Sequence, residues 1–336
     1  MAPHSSTFGT VAVIGAGSWG VSLALQALRA GNRVQLWSRT PPPFMKAANN
    51  NSVKVERRMP RLPEFILPEA ITVTSDFAEV QEAELYLLTM PLQALRSILP
   101  HLPHEKPYVI CCKGIENPSM DLPSKIVSSI HPKALAAVLS GPNFAREIAQ
   151  GLPAASVIAH HNSAFAAQIA YTLSSEFFRL YTSTDPNGVQ LCGAAKNVFA
   201  IAAGILDGAK LGDNARAAMI SRAINELKAL TIAMEGRVET LYGLAGIGDL
   251  VLTCTGPSSR NYSLGIALGQ GITPQDYLAQ HTTVAEGAYT APALQLMALQ
   301  YGVDMPITQT ICAVLNGGIS VEDSIKALFA RPLKAE

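Results

Sequence analysis

Lys196 is the first residue to ask about. It lies in Val189-Gln-Leu-Cys-Gly-Ala-Ala-Lys196-Asn197-Val-Phe-Ala-Ile-Ala-Ala-Gly204 and carries the only charge between Asp185 and Asp207. A helix apolar on nearly every side is a buried helix. A lysine in such a place loses hydration, which lowers its pKa, and a second cation nearby would lower it further. Lys113, in Cys112-Lys113-Gly114, is a candidate for that second cation. A lysine tuned this way can work as a general acid and base near neutral pH. The competing reading is a lysine whose stem crosses apolar surface while its ammonium reaches water. Asp249, in Ala245-Gly-Ile-Gly-Asp249-Leu, reads by itself as a turn former or helix cap. With both lysines close by, its carboxylate would instead orient them and offset their repulsion. The run Thr253-Cys-Thr-Gly-Pro-Ser-Ser259-Arg260-Asn261 sets hydroxyls, a guanidinium and an amide after a Gly-Pro turn. Such a set suits a phosphate monoester, and equally a polar surface loop that opens a helix.

These side chains need elements to hold them, and the clearest begins at Thr10. Val11-Ala-Val-Ile14 is followed by Gly15-Ala-Gly17-Ser18-Trp19-Gly20 and then by Val21 to Ala30 with Gly31 as a C-terminal cap. That is strand, glycine turn and helix in the order a dinucleotide site requires. Gly15 permits the tight turn, Gly17 lets backbone approach a pyrophosphate, and Gly20 lets helix lie close to strand. The helix N–H groups and dipole then favour an anion. The second strand ends in Trp37-Ser38-Arg39-Thr40, where an NAD-specific site would carry an acid for the ribose hydroxyls. Arg39 is suited to a 2′-phosphate instead, so NADP is expected to bind at least as well as NAD. Ligands of open α/β sheets lie beyond the carboxyl ends of strands, which draws attention to Lys113 after Tyr108–Cys112 and to Ser140-Gly141-Pro142-Asn143 after Ala136–Leu139. Gly141 and Asn143 would cap the next helix and contact the nicotinamide end of a cofactor, or form an ordinary N-cap turn.

Eight short β-rich runs (TVAVI, RVQLW, ITVT, ELYLLT, YVICC, AAVLS, ASVIA and FFRLY) recur up to about Thr182, separated by Gly, Pro or helical segments. This alternation predicts an α/β fold with an N-terminal Rossmann-type, mostly parallel sheet. After Asp185-Pro186 the pattern becomes helical over 189–203, 214–236 and 291–301, which predicts an all-helical C-terminal domain. The expected domains are 1–185 for dinucleotide binding and 186–336 for substrate. Residues 41–68, rich in Pro, Arg and Asn, read as an irregular connection with one short helix. The chain has 336 residues, 49% of them hydrophobic, enough for about two cores. Lys plus Arg equals Asp plus Glu at 25 each, which leaves no net field for nucleic acid or an acidic membrane surface. The five cysteines are odd in number, scattered and without metal-ligand spacing, as expected of reduced thiols in a cytoplasmic protein with no metal. The N-terminus has no signal-like pattern. The most apolar later stretch, 198–206, is far shorter than the roughly 20 residues of a membrane span.

Taken together, GAGSWG, CKG with Lys113, SGPNFAREIAQGLPAA, GAAKNVFAIAAGI around Lys196, AGIGDLVLTCT, SRN ending at Asn261, and VAEG with Glu286 resemble the bacterial-type NAD(P)-dependent glycerol-3-phosphate dehydrogenases from about Thr10 to Leu328. The resemblance implies reversible interconversion of dihydroxyacetone phosphate and sn-glycerol 3-phosphate, with supply of the phospholipid backbone. It implies cofactor contacts from Gly15, Gly17, Ser18, Trp19, Gly20, Arg39, Thr40, Lys113, Ala145, Arg260, Val284 and Glu286. Lys113, Gly141, Asn143, Lys196, Asp249, Ser259, Arg260 and Asn261 would hold the phosphorylated triose, Asn143 standing where many members have Thr or Ser. Lys196 would be the proton acceptor, with Lys113 and Asp249 as catalytic partners. A homodimer is the family expectation. A 3-hydroxyacid or 6-phosphogluconate type dehydrogenase shares the layout and the Lys-Asn pair, but acts on carboxylates. A non-catalytic NAD(P)H sensor would need neither the buried lysine nor the phosphate clamp.

Overall fold

A computed structural model describes residues 7–47, 56–280 and 285–330. The chain forms two compact units, one of Met1–Cys112 and Pro123–Pro186, the other of Lys113–Leu122 and Asn187–Glu336. It therefore crosses to the second unit at Lys113, returns at Pro123 and leaves the first for good after Pro186.

The first unit is built on strands β1 (Thr10–Ile14), β2 (Arg33–Trp37), β3 (Arg58–Met59), β4 (Leu62–Ile66), β5 (Ile71–Thr74), β6 (Leu85–Leu88), β7 (Tyr108–Ile110), β8 (Ala136–Ser140), β9 (Ala154–Ala159) and β10 (Phe178–Ser183). Eight of them make one sheet in the order β10-β9-β8-β7-β6-β1-β2-β5. All eight β-rich runs of the sequence fall in this sheet. Neighbours pair in parallel except β8 with β9, so β9 and β10 run against the rest. Near-continuous Val, Ile and Leu let β1 and β6 bury every position from Val11 to Ile14 and Leu85 to Leu88, as a sheet covered on both faces demands. Each such side chain contributes about 1.5–3 kcal/mol by leaving water. β1 pairs with β2 on one side and β6 on the other. The chain order thus reverses at the carboxyl end of β1, which is where a ligand binds in open α/β sheets.

Residues 41–68 depart from expectation. Besides a helical turn at Pro43–Ala47, they hold an antiparallel hairpin of β3 and β4. The two strands are too short and Pro-rich to announce themselves in sequence; Met59, Leu62 and Leu67 stabilise them by burial in the sheet unit's core.

The second unit is helical, with long helices Pro186–Gly208, Gly212–Ala233 and Glu286–Gln300 around one apolar cluster. Helix Pro186–Gly208 lies hard against helix Arg260–Gly269: a Cβ on Gly204 would come 2.1 Å from the Tyr262 carbonyl oxygen, and one on Gly265 would come 2.1 Å from that of Ile201. Only glycine allows backbones this close. The apolar stretch 198–206 belongs to a helix of 23 residues, long and apolar enough by composition to cross a membrane, contrary to the shorter length read from sequence. Its buried surroundings mark it as the core helix of this unit, with 94% of its most apolar window inside.

Candidate active site

The sheet unit's site starts at the carboxyl end of β1. Gly15 has φ +115, and a Cβ there would meet the Met90 backbone nitrogen at 2.8 Å. A Cβ on Gly20 would lie 1.8 Å from the Gly15 carbonyl oxygen. Both glycines are required by the protein's own packing. Gly17 is different, since a Cβ there would meet nothing within 4 Å. Among the described residues no packing contact requires glycine there, which fits the close approach of a pyrophosphate. Gly17 caps the helix Ser18–Arg29 without a side-chain hydrogen bond, and the first turn holds no acid. The N-terminal dipole is thus left for an anion. Thr89 ties the turn down by donating to the carbonyls of Ile14 at 3.0 Å and Gly15 at 2.7 Å.

Ser18 Oγ donates to the Arg61 carbonyl at 2.7 Å, and Trp19 packs against the sheet core. Arg39 and Thr40 are exposed just past β2, where the Ser38 hydroxyl donates to the Thr40 carbonyl at 2.8 Å. Among the described residues Arg39 makes no ion pair. Ala145 opens a helix to Gln150, and its carbonyl accepts from Ser22 Oγ at 2.5 Å. Gly141 packs tightly on β9, for a Cβ would be 2.8 Å from Ser156 Cα. Asn143 does not cap the following helix: the cap is Phe144, without a side-chain bond, and the Asn143 amide donates to Ser156 Oγ. Phe144 has extended backbone at the start of the helix, which moves Asn143 one residue too far upstream to cap. The Asn143 Oδ1 and the Ser140 hydroxyl are buried and find no hydrogen-bond partner among the described residues.

In the helical unit the structure brings three residues together that are 136 positions apart at the extremes. Asp249 is fully buried and spends one carboxylate oxygen on each lysine: Oδ2 accepts from Lys113 Nζ at 2.5 Å and Oδ1 accepts from Lys196 Nζ. Lys196 is 8% exposed and also donates to Thr253 Oγ1 at 3.0 Å. Thr253 in turn donates to the Asp249 backbone carbonyl at 2.6 Å. A π-helical turn over Leu244–Gly248 leads into the helix Asp249–Cys254 and aims its first residue inward; a Cβ on Gly246 would be 2.2 Å from the Leu241 carbonyl oxygen. The sequence places Thr253 in the polar run that ends at Asn261, whereas the structure sets its hydroxyl on Lys196; its position four residues after Asp249 puts both on one helix face.

The electrostatics follow from this packing. Burial lowers the pKa of Lys196 to about 8; the Asp249 charge holds it up and the Lys113 charge pushes it down. Burial opposes ionisation of Asp249, but the two ammonium groups outweigh it and hold the carboxyl below its usual range. One carboxylate thus serves two cations, and burial lowers the pKa of one of them well below that of a free lysine.

Ser259, Arg260 and Asn261 form the start of the ten-residue helix Arg260–Gly269. Ser259 Oγ is its N-cap and accepts from Tyr262 N at 3.3 Å. Asn261 is buried and bonded at both ends of its amide, donating to Asn197 Oδ1 at 3.0 Å and accepting from Gly287 N at 2.9 Å. Arg260 is exposed. Glu286 opens the helix Glu286–Gln300; burial raises its pKa and the Arg260 charge draws it part of the way back. Asn197, which the sequence shows only as the residue after Lys196, and Gly287 complete this network. Val284 lies outside the described residues. All five cysteines are buried.

Residues 10–166 match the family model of the NAD-dependent glycerol-3-phosphate dehydrogenase N-terminus, and residues 185–326 match that of its C-terminus. The chain is 47% identical to glycerol-3-phosphate dehydrogenase [NAD(P)+] of Gluconobacter oxydans over 96% of this chain and 97% of that one. It is 44% identical to the enzyme of the same name from Rhodopseudomonas palustris, over 98% and 99% of the two chains. Among solved structures, glycerol-3-phosphate dehydrogenase of Coxiella burnetii matches with a TM-score of 0.88 at 34% identity, covering 96% of this chain and 99% of that chain.

Proposed function

The chain belongs to the NAD-dependent glycerol-3-phosphate dehydrogenase family, and from that premise we propose that it interconverts dihydroxyacetone phosphate and sn-glycerol 3-phosphate as an NAD(P)-dependent oxidoreductase. The observation that carries the reading is the buried Asp249 carboxylate shared between Lys113 and Lys196. A bound nicotinamide would supply or accept the hydride at C2. The residues of the chain handle the proton and the charges.

In oxidation, neutral Lys196 takes the proton of the C2 hydroxyl, and in reduction its ammonium returns a proton to the same oxygen. Asp249 keeps the amine aimed, and Thr253 holds it from a second direction. Lys113, held by the other Asp249 oxygen, stabilises negative charge on the C2 oxygen; removing one such donor costs about 3–4 kcal/mol in other enzymes. The substrate phosphate is assigned to the N-terminus of helix Arg260–Gly269, with the Arg260 guanidinium and first-turn N–H groups as its donors. Asn261, with its amide already bonded at both ends, contributes chiefly by fixing that helix start. Gly141 and Asn143 are assigned to substrate as well.

Gly15, Gly17, Ser18, Trp19 and Gly20 are assigned to the pyrophosphate side of the cofactor. Arg39 and Thr40 are assigned to its 2′-phosphate, and Lys113, Ala145, Arg260, Val284 and Glu286 to further contacts. With no acid after β2, NADP is favoured over NAD. A homodimer, a cytoplasmic location and a role in supplying glycerol 3-phosphate for phospholipids complete the proposal. The test is oxidation of NADPH and of NADH by dihydroxyacetone phosphate, followed by absorbance. Turnover with both, faster with NADPH, is expected; no turnover with either would reject the assignment.

A further inference from the structure

The hairpin β3–β4 was unforeseen, and its turn touches the dinucleotide site. Ser18, the first residue of the pyrophosphate helix, donates its hydroxyl to the backbone carbonyl of Arg61, which lies in that turn. Three arginines sit in and beside the hairpin, and two are committed within the protein. Arg57 donates to the Ile71 carbonyl at 2.6 Å and stacks over the Phe44 ring at 5.2 Å. Arg58 pairs with Glu56 at 2.6 Å and donates to the Pro63 carbonyl at 2.8 Å. Arg61 is exposed and, among the described residues, its guanidinium makes neither ion pair nor hydrogen bond. An uncommitted guanidinium is thereby anchored, through its own backbone, to the N-terminus of the helix that already favours an anion.

We propose that Arg61 binds the cofactor pyrophosphate, as a side-chain clamp added to the backbone cradle of Gly15–Gly20. This rests on the dinucleotide reading above and deepens it. A guanidinium offers two parallel N–H donors to phosphate oxygens and keeps its charge at every physiological pH. The pyrophosphate is common to NADH and NADPH, so Arg61 strengthens both alike, whereas Arg39 acts on the 2′-phosphate that only NADPH carries. The hairpin then has a functional reason: it brings a cation to a helix start that carries no charged side chain of its own in its first turn.

The test is direct binding, by titration of nicotinamide fluorescence with the full chain and no substrate. R61A is expected to weaken NADH and NADPH about tenfold each, the effect shrinking in high salt, while R61K retains part of the affinity. R39A is expected to weaken NADPH alone. R33A, which removes the same charge from the amino end of β2, serves as the control and leaves both affinities unchanged. Unaltered binding in R61A would overturn the proposal, as would a loss confined to NADPH or an equal loss in R33A. If the wild-type chain binds neither nucleotide, the dinucleotide reading itself fails, an outcome distinct from the others.

Discussion

The glycine turn of the sheet unit and the Lys113–Asp249–Lys196 cluster of the helical unit solve binding problems in opposite ways. The turn works with backbone: N–H groups, a dipole and glycines that keep side chains out of the way. The cluster works with side chains taken from three places in the chain and buried so that their charges act on one another. A backbone site tolerates change outside the glycines, because its partial charges are built into the helix. A charge cluster tolerates little, because each member sets the others' protonation.

That contrast can be broken at several points. The largest effect is expected for Lys196→Ala, which should lower kcat by roughly 10²–10⁴-fold while leaving NADPH affinity within twofold. Retained turnover, measured at saturating cofactor, would detach the cluster from catalysis. Next comes Asp249→Asn, which leaves two lysines without their shared counter-charge; a cost on the order of 3–5 kcal/mol is expected, read as a fall in the urea midpoint.

The glycines sharpen the comparison from the other side. Gly20→Ala places a methyl group against the Gly15 carbonyl and should lower the melting temperature, whereas Gly17→Ala should leave melting unchanged and weaken cofactor binding. If both variants simply melt earlier, Gly17 has a structural reason after all.

The pH dependence separates the members of the cluster. In the proposed mechanism oxidation needs neutral Lys196, so its kcat/KM should rise with pH through about 8, and the reductive rate should fall over the same range. Asp249 holds the lysine pKa up and Lys113 pushes it down. Asp249→Asn should therefore move the oxidative limb to lower pH, and Lys113→Met should move it to higher pH. Limbs that stay in place would assign the titration to another group.

The smallest effect is expected at a residue that belongs to neither site. Glu226 is buried beneath the helix Pro306–Leu315, accepting from Ile307 N at 2.5 Å and from Thr308 N and Oγ1 at 3.3 Å. Burial raises its pKa to about 7 against the pull of these bonds, with Asp304 adding to the rise. The folded state thus holds a proton that the unfolded chain releases at lower pH, and stability should decline as pH rises from the ordinary carboxyl range through about 7. Glu226→Gln should flatten that decline in melting temperatures taken from pH 5 to 8.

The sequence by itself determined whatever depends on neighbours along the chain. Val11–Ile14 followed by Gly15, Gly17 and Gly20 names a strand, a turn and an anion-binding helix because each requirement is met within a few residues. The missing acid at Ser38-Arg39 is legible for the same reason. The isolation of Lys196 in an apolar helix marks it as unusual without saying what it faces. Tertiary structure alone decided that Asp249 is a bridge and not a turn former, that Lys113 sits on its other oxygen, and that Asn261 spends its amide on Asn197 and Gly287. It also decided that a short hairpin carries Arg61 to Ser18. Contacts between residues far apart in the chain leave no periodicity to read, and the pKa of a buried group depends on the charges that folding sets around it.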